Sequence, residues 1–271
     1  MRLSLPPEVA GYRLLALEAT ESTNDDALRA AWAGDPGPLW IVAGEQRSGR
    51  GRHGRNWSSP LGNLYASLLL VDACASAKAP QLGFVAGLAL HEAVEAVTGI
   101  GAPRLALKWP NDLLLDGTKV SGVLLEVQRV GSALAIVIGF GINIAHAPEG
   151  TPYPAATLRA VDASVTRAAV FESLADRFAT GFAAWKAGNP FDLDDPFGPI
   201  RHRWLARAAG LGTEVTLRLP SGERRGVFAG LDRLGRLQLK TAAGVEVVDA
   251  GDLCFPHFQS TNAGLAADMR H

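Results

Sequence analysis

Cysteine is nearly missing from this chain: 271 residues hold only Cys74 and Cys254, far apart and each without a second Cys or a close His. That spacing argues against a disulfide framework and a thiolate zinc site, and it fits a reducing cytoplasm. Charge of one sign is missing too. Lys plus Arg number 26 against 27 for Asp plus Glu, a formal net charge of -1. A broad basic face of the kind that binds nucleic acid is therefore excluded. No apolar run approaches the roughly 18–20 residues that a membrane span needs. The opening Met1–Glu8 has no apolar core of a secretory leader. The six His are scattered without H-E-x-x-H, G-x-x-x-x-G-K-[ST] does not occur, and no segment repeats. What is left, 48% hydrophobic and 20% charged, is an ordinary globular composition. A chain of this length can bury about three quarters of its unfolded surface.

The most informative stretch is Gly49-Arg50-Gly51-Arg52-His53-Gly54-Arg55-Asn56-Trp57. It places three Arg and one His within six residues, with glycines that let the backbone come close to a ligand. Such a loop suits a compact anion, a phosphate or an acyl-phosphate. Its glycines also match G-x-G-x-x-G, but a dinucleotide fingerprint needs a helix opening at that point. Arg55–Asn63 carries Pro, Gly, Ser and Asn there instead, so that reading is rejected. A solvated surface loop and a loop that holds anionic polymer remain as rivals on this stretch alone.

Ser22 or Thr23 caps a helix that begins with Asn24, Asp25 and Asp26 and ends at Gly34. Further helices are predicted over Gln81–Val97, Arg167–Lys186 and Ile200–Ala209. Leu39–Ala43, Leu64–Leu70, Leu105–Lys108, Asp112–Leu115, Val120–Val127 and Ala133–Ile138 are predicted strands, with Asp116-Gly117 as a hairpin turn. Asn189–Pro199 breaks the pattern with three Pro and three Asp. Beyond it, Glu214–Leu219, Gly226–Leu231, Arg236–Lys240 and Val245–Val248 are short strands with tight turns, the pattern of a small β-barrel. The tail from residue 259 to 271 is expected to be frayed.

Three polar clusters complete the picture. Pro110 stops a strand, so that Lys108-Trp109-Pro110-Asn111-Asp112 turns into a cleft. Lys119 follows the hairpin turn and comes back toward Asp112. Gly139-Phe140-Gly141-Ile142-Asn143 reads as a strand exit whose Asn can donate to and accept from an adenine edge. Taken in order, Ser22-Thr23-Asn24, Glu45-Gln46, the glycine-arginine stretch through Trp57, Lys108–Asp112, Lys119-Val120-x-Gly122 and Gly139-x-Gly141-x-Asn143 resemble the biotin protein ligases. The likeness runs from about Ser22 to Leu158, and the β-rich end resembles that family's SH3-like C-terminal domain.

The resemblance implies an α+β fold: a mixed sheet with helices, like the class II aminoacyl-tRNA synthetases, followed by an SH3-like barrel. Boundaries are expected at 1–210 for the catalytic domain and 211–258 for the barrel. It also implies ATP and biotin as substrates, biotinyl-5′-AMP as the intermediate and a lysine of a biotin carboxyl carrier protein domain, as in acetyl-CoA carboxylase, as acceptor. Lys119, Arg52 and Asp112 are the catalytic candidates. Ser22, Thr23, Asn24, Gln46, Arg50, Gly51, Arg52 and Lys119 are expected around biotin. Arg50, Arg52, Trp57, Lys108, Asn111 and Asn143 are expected around the nucleotide. No metal-ligand set is assigned, and a magnesium ion arriving with ATP would lie near Asp112. About twenty residues precede Ser22, too few for a helix-turn-helix, so DNA binding is not expected; a homodimer is left open. A lipoate or octanoyl ligase on the same scaffold is the alternative enzyme, and Trp109–Asp112 after Lys108 favours biotin.

Overall fold

Runs rich in Leu, Ile, Val and Ala form a seven-stranded sheet in the structure, a computed structural model that describes residues 3–6, 9–151 and 154–255. Its strands are β1 (Arg13–Thr20), β2 (Leu39–Gln46), β3 (Leu64–Val71), β4 (Leu105–Lys108), β5 (Asp112–Leu115), β6 (Thr118–Val130) and β7 (Ala133–Ile142). They lie in the order β1-β2-β3-β7-β6-β5-β4, antiparallel except for the β1–β2 pair. β1 has no counterpart among the expected strands. Leu14, Leu15 and Leu17 interrupt a two-residue alternation, and only the long-range pairing with β2 makes the segment a strand.

Side-chain alternation divides the sheet into two faces. On one, Trp40, Val42, Leu64, Leu68, Ile138 and Phe140 pack beneath α2 (Gln81–Thr98) and α3 (Arg167–Ala187). Trp40 meets the rings of Phe171 and Phe178 edge-on at 5.5 and 6.1 Å. On the other face, α1 (Thr23–Trp32) covers Leu39, Ile41, Leu69, Ala135 and Val137. Ser22 caps α1 by accepting from the Asp25 amide, and Gly99 ends α2 in the left-handed conformation. α1 packs on β2, β3 and β7, and the part of this face it leaves bare lines a cleft.

Two expectations are corrected here. Gly139–Ile142 is not a strand exit: β7 runs on to Ile142 because both neighbours, β3 and β6, pair with it there. β6 is also longer than Val120–Val127 at both ends, since Thr118 and Lys119 pair with β5 and the strand follows β7 as far as Val130. Asp116 and Gly117 form the expected turn, both with positive φ.

A short α4 (Gly198–Leu205) leads to the second sheet, where β8 (Glu214–Leu219), β9 (Gly222–Leu231), β10 (Leu237–Thr241), β11 (Gly244–Val248) and β12 (Asp252–Cys254) lie in the order β11-β10-β9-β8-β12. This is the small SH3-like unit. Trp109, fully buried, donates its indole N–H to the Gly235 carbonyl in the β9–β10 turn and so ties the two sheets together. The frayed tail expected at 259–271 lies outside the described residues. Among the described residues no helix is long and apolar enough to cross a membrane.

Candidate active site

The bare part of the sheet face is the floor of a cleft of about 610 Å³. β7 contributes Gly139 and Gly141, β6 contributes Gly122 and Leu124, and the glycine-arginine loop and the start of α1 form the walls. The glycines are required by contact. A Cβ on Gly139 would stand 2.2 Å from Asn24 Oδ1, and one on Gly141 would stand 2.4 Å from the Trp57 ring. Both side chains therefore lie directly on the strand backbone.

At one end, Thr23 donates from its backbone N–H (2.9 Å) and its hydroxyl (3.0 Å) to Gln46 Oε1, and Gln46 Nε2 donates to Ser59 Oγ at 3.0 Å. Ser67, wholly buried on β3, lies 2.6 Å from Asn24 Oδ1. Because an amide oxygen only accepts, the serine proton goes to it, and the 2.7 Å contact between Ser67 Oγ and Thr23 Oγ1 draws on the Thr23 proton, which is shared with Gln46 Oε1. Ser22, Thr23 and Asn24 are all buried at this end.

The loop itself is a small hairpin. Arg50 bridges Asn56, the Gly51 N–H donates to the Arg55 carbonyl at 2.7 Å, and the Trp57 N–H donates to that of Gly49 at 2.9 Å. His53 and Gly54 turn it with positive φ. Arg50 pairs with Asp25 at 2.7 Å and Glu126 at 3.1 Å. Hydrogen bonding to Asp25, helped by Glu126, holds its guanidinium above the usual arginine range. Arg52 donates to Asn111 Oδ1 (3.4 Å) and to the Gly251 carbonyl (3.2 Å) and lies 3.7 Å from Asp252. Burial pulls its pKa down, against the opposing pull of Asp252 and Asp112.

Lys119 meets Asp112 at 2.6 Å and sits 5.4 Å from the centre of the Trp57 ring. The hairpin return expected for it is thus observed, and Arg52 and Lys119 line one cleft. Asn111 is fixed on β6 by donating to the Val123 carbonyl at 2.7 Å. Asn143, 2% exposed, leaves Oδ1 buried with no protein partner. An orphaned acceptor of that kind costs about 1–3 kcal/mol until a donor reaches it.

All the expected site residues except one line this cleft. Lys108 does not. It is 8% exposed, lines an adjoining crevice of about 20 Å³ behind Lys119, and reaches Asp112 at 4.0 Å. Burial pulls its pKa down, and Asp112 opposes that shift. Three groups were missed. Asp25 and Glu126 hold Arg50, and a lone acid in a helix start or a strand carries no signal of that. Asp252 and Gly251 arrive from the small sheet, some two hundred positions from Arg52 in sequence. Ala155, whose neighbours bracket Lys119 by backbone bonds to Pro154 and Ala156, also lines the cleft.

The donor set does not fit a protein-held metal. Among the described residues no three His, Cys, Asp or Glu converge, and Asp112 is already paired with Lys119.

Residues 17–143 match the biotin/lipoate A/B protein ligase family, and residues 210–254 match the biotin protein ligase C terminal domain. A biotin--[acetyl-CoA-carboxylase] ligase of Paracoccus denitrificans is 43% identical over 243 residues, 88% of this chain and 99% of that protein. Among solved structures, the biotin protein ligase from Aquifex aeolicus in complex with biotin and ATP aligns with a TM-score of 0.73 at 30% identity, over 89% of this chain and 97% of that one. The ligase from Leishmania major in complex with biotinyl-5-AMP aligns at 0.61 and 25% identity, over 90% and 100%.

Proposed function

The chain belongs to the biotin protein ligases of the biotin/lipoate A/B protein ligase family, and from that premise we propose that its cleft makes biotinyl-5′-AMP and passes the biotinyl group to a carrier lysine. The observation that carries this reading is the convergence of Arg52 and Lys119 on one cavity that also holds a buried set of hydrogen-bonding side chains at its far end. A mixed anhydride needs both: cations where phosphate charge grows, and a shaped polar socket that orients the acid.

In this reading the ureido ring of biotin is held by Ser22, Thr23, Asn24 and Gln46, with Gly51 giving the loop its close approach. The biotin carboxylate attacks the α-phosphorus of ATP, a new C–O–P linkage forms, and the bond to pyrophosphate breaks. Lys119, Arg50 and Arg52 offset the charge of the carboxylate and the α-phosphate, which would otherwise repel. Asn143 Oδ1 would accept from the adenine amino group, with Trp57 and Asn111 against the nucleotide. In the second step the ε-amine of the acceptor lysine attacks the acyl carbon, an amide forms, and AMP leaves with the bonding pair. Asp112 would take a proton in that step. The chain's residues form no cage for magnesium, so an ion carried by the phosphates of ATP would be held by the nucleotide, and no step is assigned to it. Lys108 acts on the nucleotide only through Asp112 and Lys119. The acceptor is a biotin carboxyl carrier domain of acetyl-CoA carboxylase or a similar carboxylase. The two cysteines are thiols and not a disulfide, which supports a cytoplasmic site of action.

The test is acid-dependent exchange of labelled pyrophosphate into ATP, with biotin, lipoate and octanoate compared. Exchange with biotin alone is expected. Exchange with lipoate or octanoate and none with biotin would replace this reading by the lipoate-type ligase.

A further inference from the structure

Among the described residues, Glu126 is the one acid that bonds both Asn24 and Arg50, two side chains of the cleft wall. Its position on β6 follows from register: Leu124 pairs with Gly139 and Glu126 with Val137, so Gly122, Leu124 and Glu126 all face the cleft side of the sheet. There its carboxylate accepts from Asn24 Nδ2 at 2.6 Å and from Arg50 Nη2 at 3.1 Å through each oxygen. The other end of the Asn24 amide is occupied by the Ser67 hydroxyl at 2.6 Å, and its flat side rests on Gly139. A carboxylate that only accepts and a serine proton committed to the amide oxygen leave one orientation for this amide. Flipping it would set the amide oxygen against the Glu126 carboxylate and leave a buried acceptor without its proton.

We infer that Glu126 is a positioning residue that acts through Asn24, presenting the asparagine amide in the single orientation that recognises the ring of the acid substrate. This rests on the biotin reading above. Arg50 does not depend on Glu126 for its place, because Asp25 binds the same guanidinium. Loss of Glu126 therefore strikes the ring end first. The amide gains freedom to rotate, and binding energy goes into reordering it.

The experiment measures biotin affinity by calorimetry in the absence of ATP, and ATP affinity with a non-hydrolysable analogue, on the full chain. Glu126→Ala is expected to weaken biotin about tenfold, the scale of one charge-assisted hydrogen bond, and to leave the ATP analogue within about threefold. Glu126→Gln, which can still accept from Asn24, is expected to restore most of the biotin affinity. In an Asn24→Ala background, Glu126→Ala is expected to add nothing further, since coupled residues are not additive. Equal weakening of biotin and the ATP analogue, failure of Gln to rescue, or additivity with Asn24→Ala would each overturn the inference. Wild-type protein run beside the variants separates the two readings. If it binds no biotin the ligase reading fails, and if it binds biotin and Glu126→Ala matches it, only the role of Glu126 fails.

Discussion

Lys119 and His91 show how differently two titratable side chains can be used in one fold. Lys119 is a partly exposed ammonium paired with Asp112 at 2.6 Å on the edge of the cleft. Its interaction should strengthen as charge moves onto the α-phosphate, so Lys119→Ala is expected to slow adenylate formation by about a hundredfold while biotin affinity changes by less than about tenfold. Single-turnover kinetics beside calorimetry measures the two, and equal losses would make Lys119 a binding contact only. His91 is buried on α2 and its Nε2 faces the Leu105 carbonyl at 3.1 Å, which requires the proton on Nε2. Burial, helped by Arg207 and opposed by the Leu105 hydrogen bond, Glu95 and Glu92, pulls its pKa below 6.5. A lowered pKa means that the unfolded chain binds the proton more readily, so this stability is complete above the unfolded pKa of about 6.5 and is lost as the pH falls below it. The stability gap between wild type and His91→Gln should accordingly narrow between pH 7.5 and pH 5.5 in thermal unfolding. A gap independent of pH would show that His91 does not titrate on unfolding.

Among the elements, β7 is the one whose sequence and role differ most from expectation. Glycine usually weakens a strand, yet Gly139 and Gly141 sit in the middle of the sheet because two neighbouring strands supply the hydrogen bonds and the missing side chains leave a floor. Gly139→Ala keeps an allowed backbone, since Gly139 has no positive φ, but its methyl would fall 2.2 Å from Asn24 Oδ1. The expected result is a melting temperature within a few degrees of wild type and biotin affinity weakened about tenfold, the scale of one displaced hydrogen-bonding contact. Unchanged biotin affinity would mean that Asn24 can move aside without cost.

For the whole molecule, the small sheet reaches the glycine-arginine loop. Asp252 pairs with Arg55 at 2.5 Å and lies 3.7 Å from Arg52, and the Gly251 carbonyl accepts from Arg52. Partly exposed pairs of this kind contribute about 1 kcal/mol or less to global stability. Asp252→Ala should therefore leave unfolding nearly unchanged while loosening the loop, read as several-fold faster tryptic cleavage after Arg52 or Arg55. Cleavage at the wild-type rate would show that the loop is held by its own hairpin alone.

Much of this protein was legible in residue order. The helices over Gln81–Thr98 and Arg167–Ala187, the Asp116-Gly117 turn and the barrel strands follow from periodicity and turn chemistry, which act over a few residues. Tertiary structure decided the rest. β1 exists through its pairing with β2, Lys108 is turned away from the cleft, and Glu126, Asp25 and Asp252 become partners of the arginines. Each of these depends on which distant strand lies alongside and which face of it points to the cleft. Register and packing settle such matters through contacts between residues far apart in the chain, and no local pattern of residues encodes them.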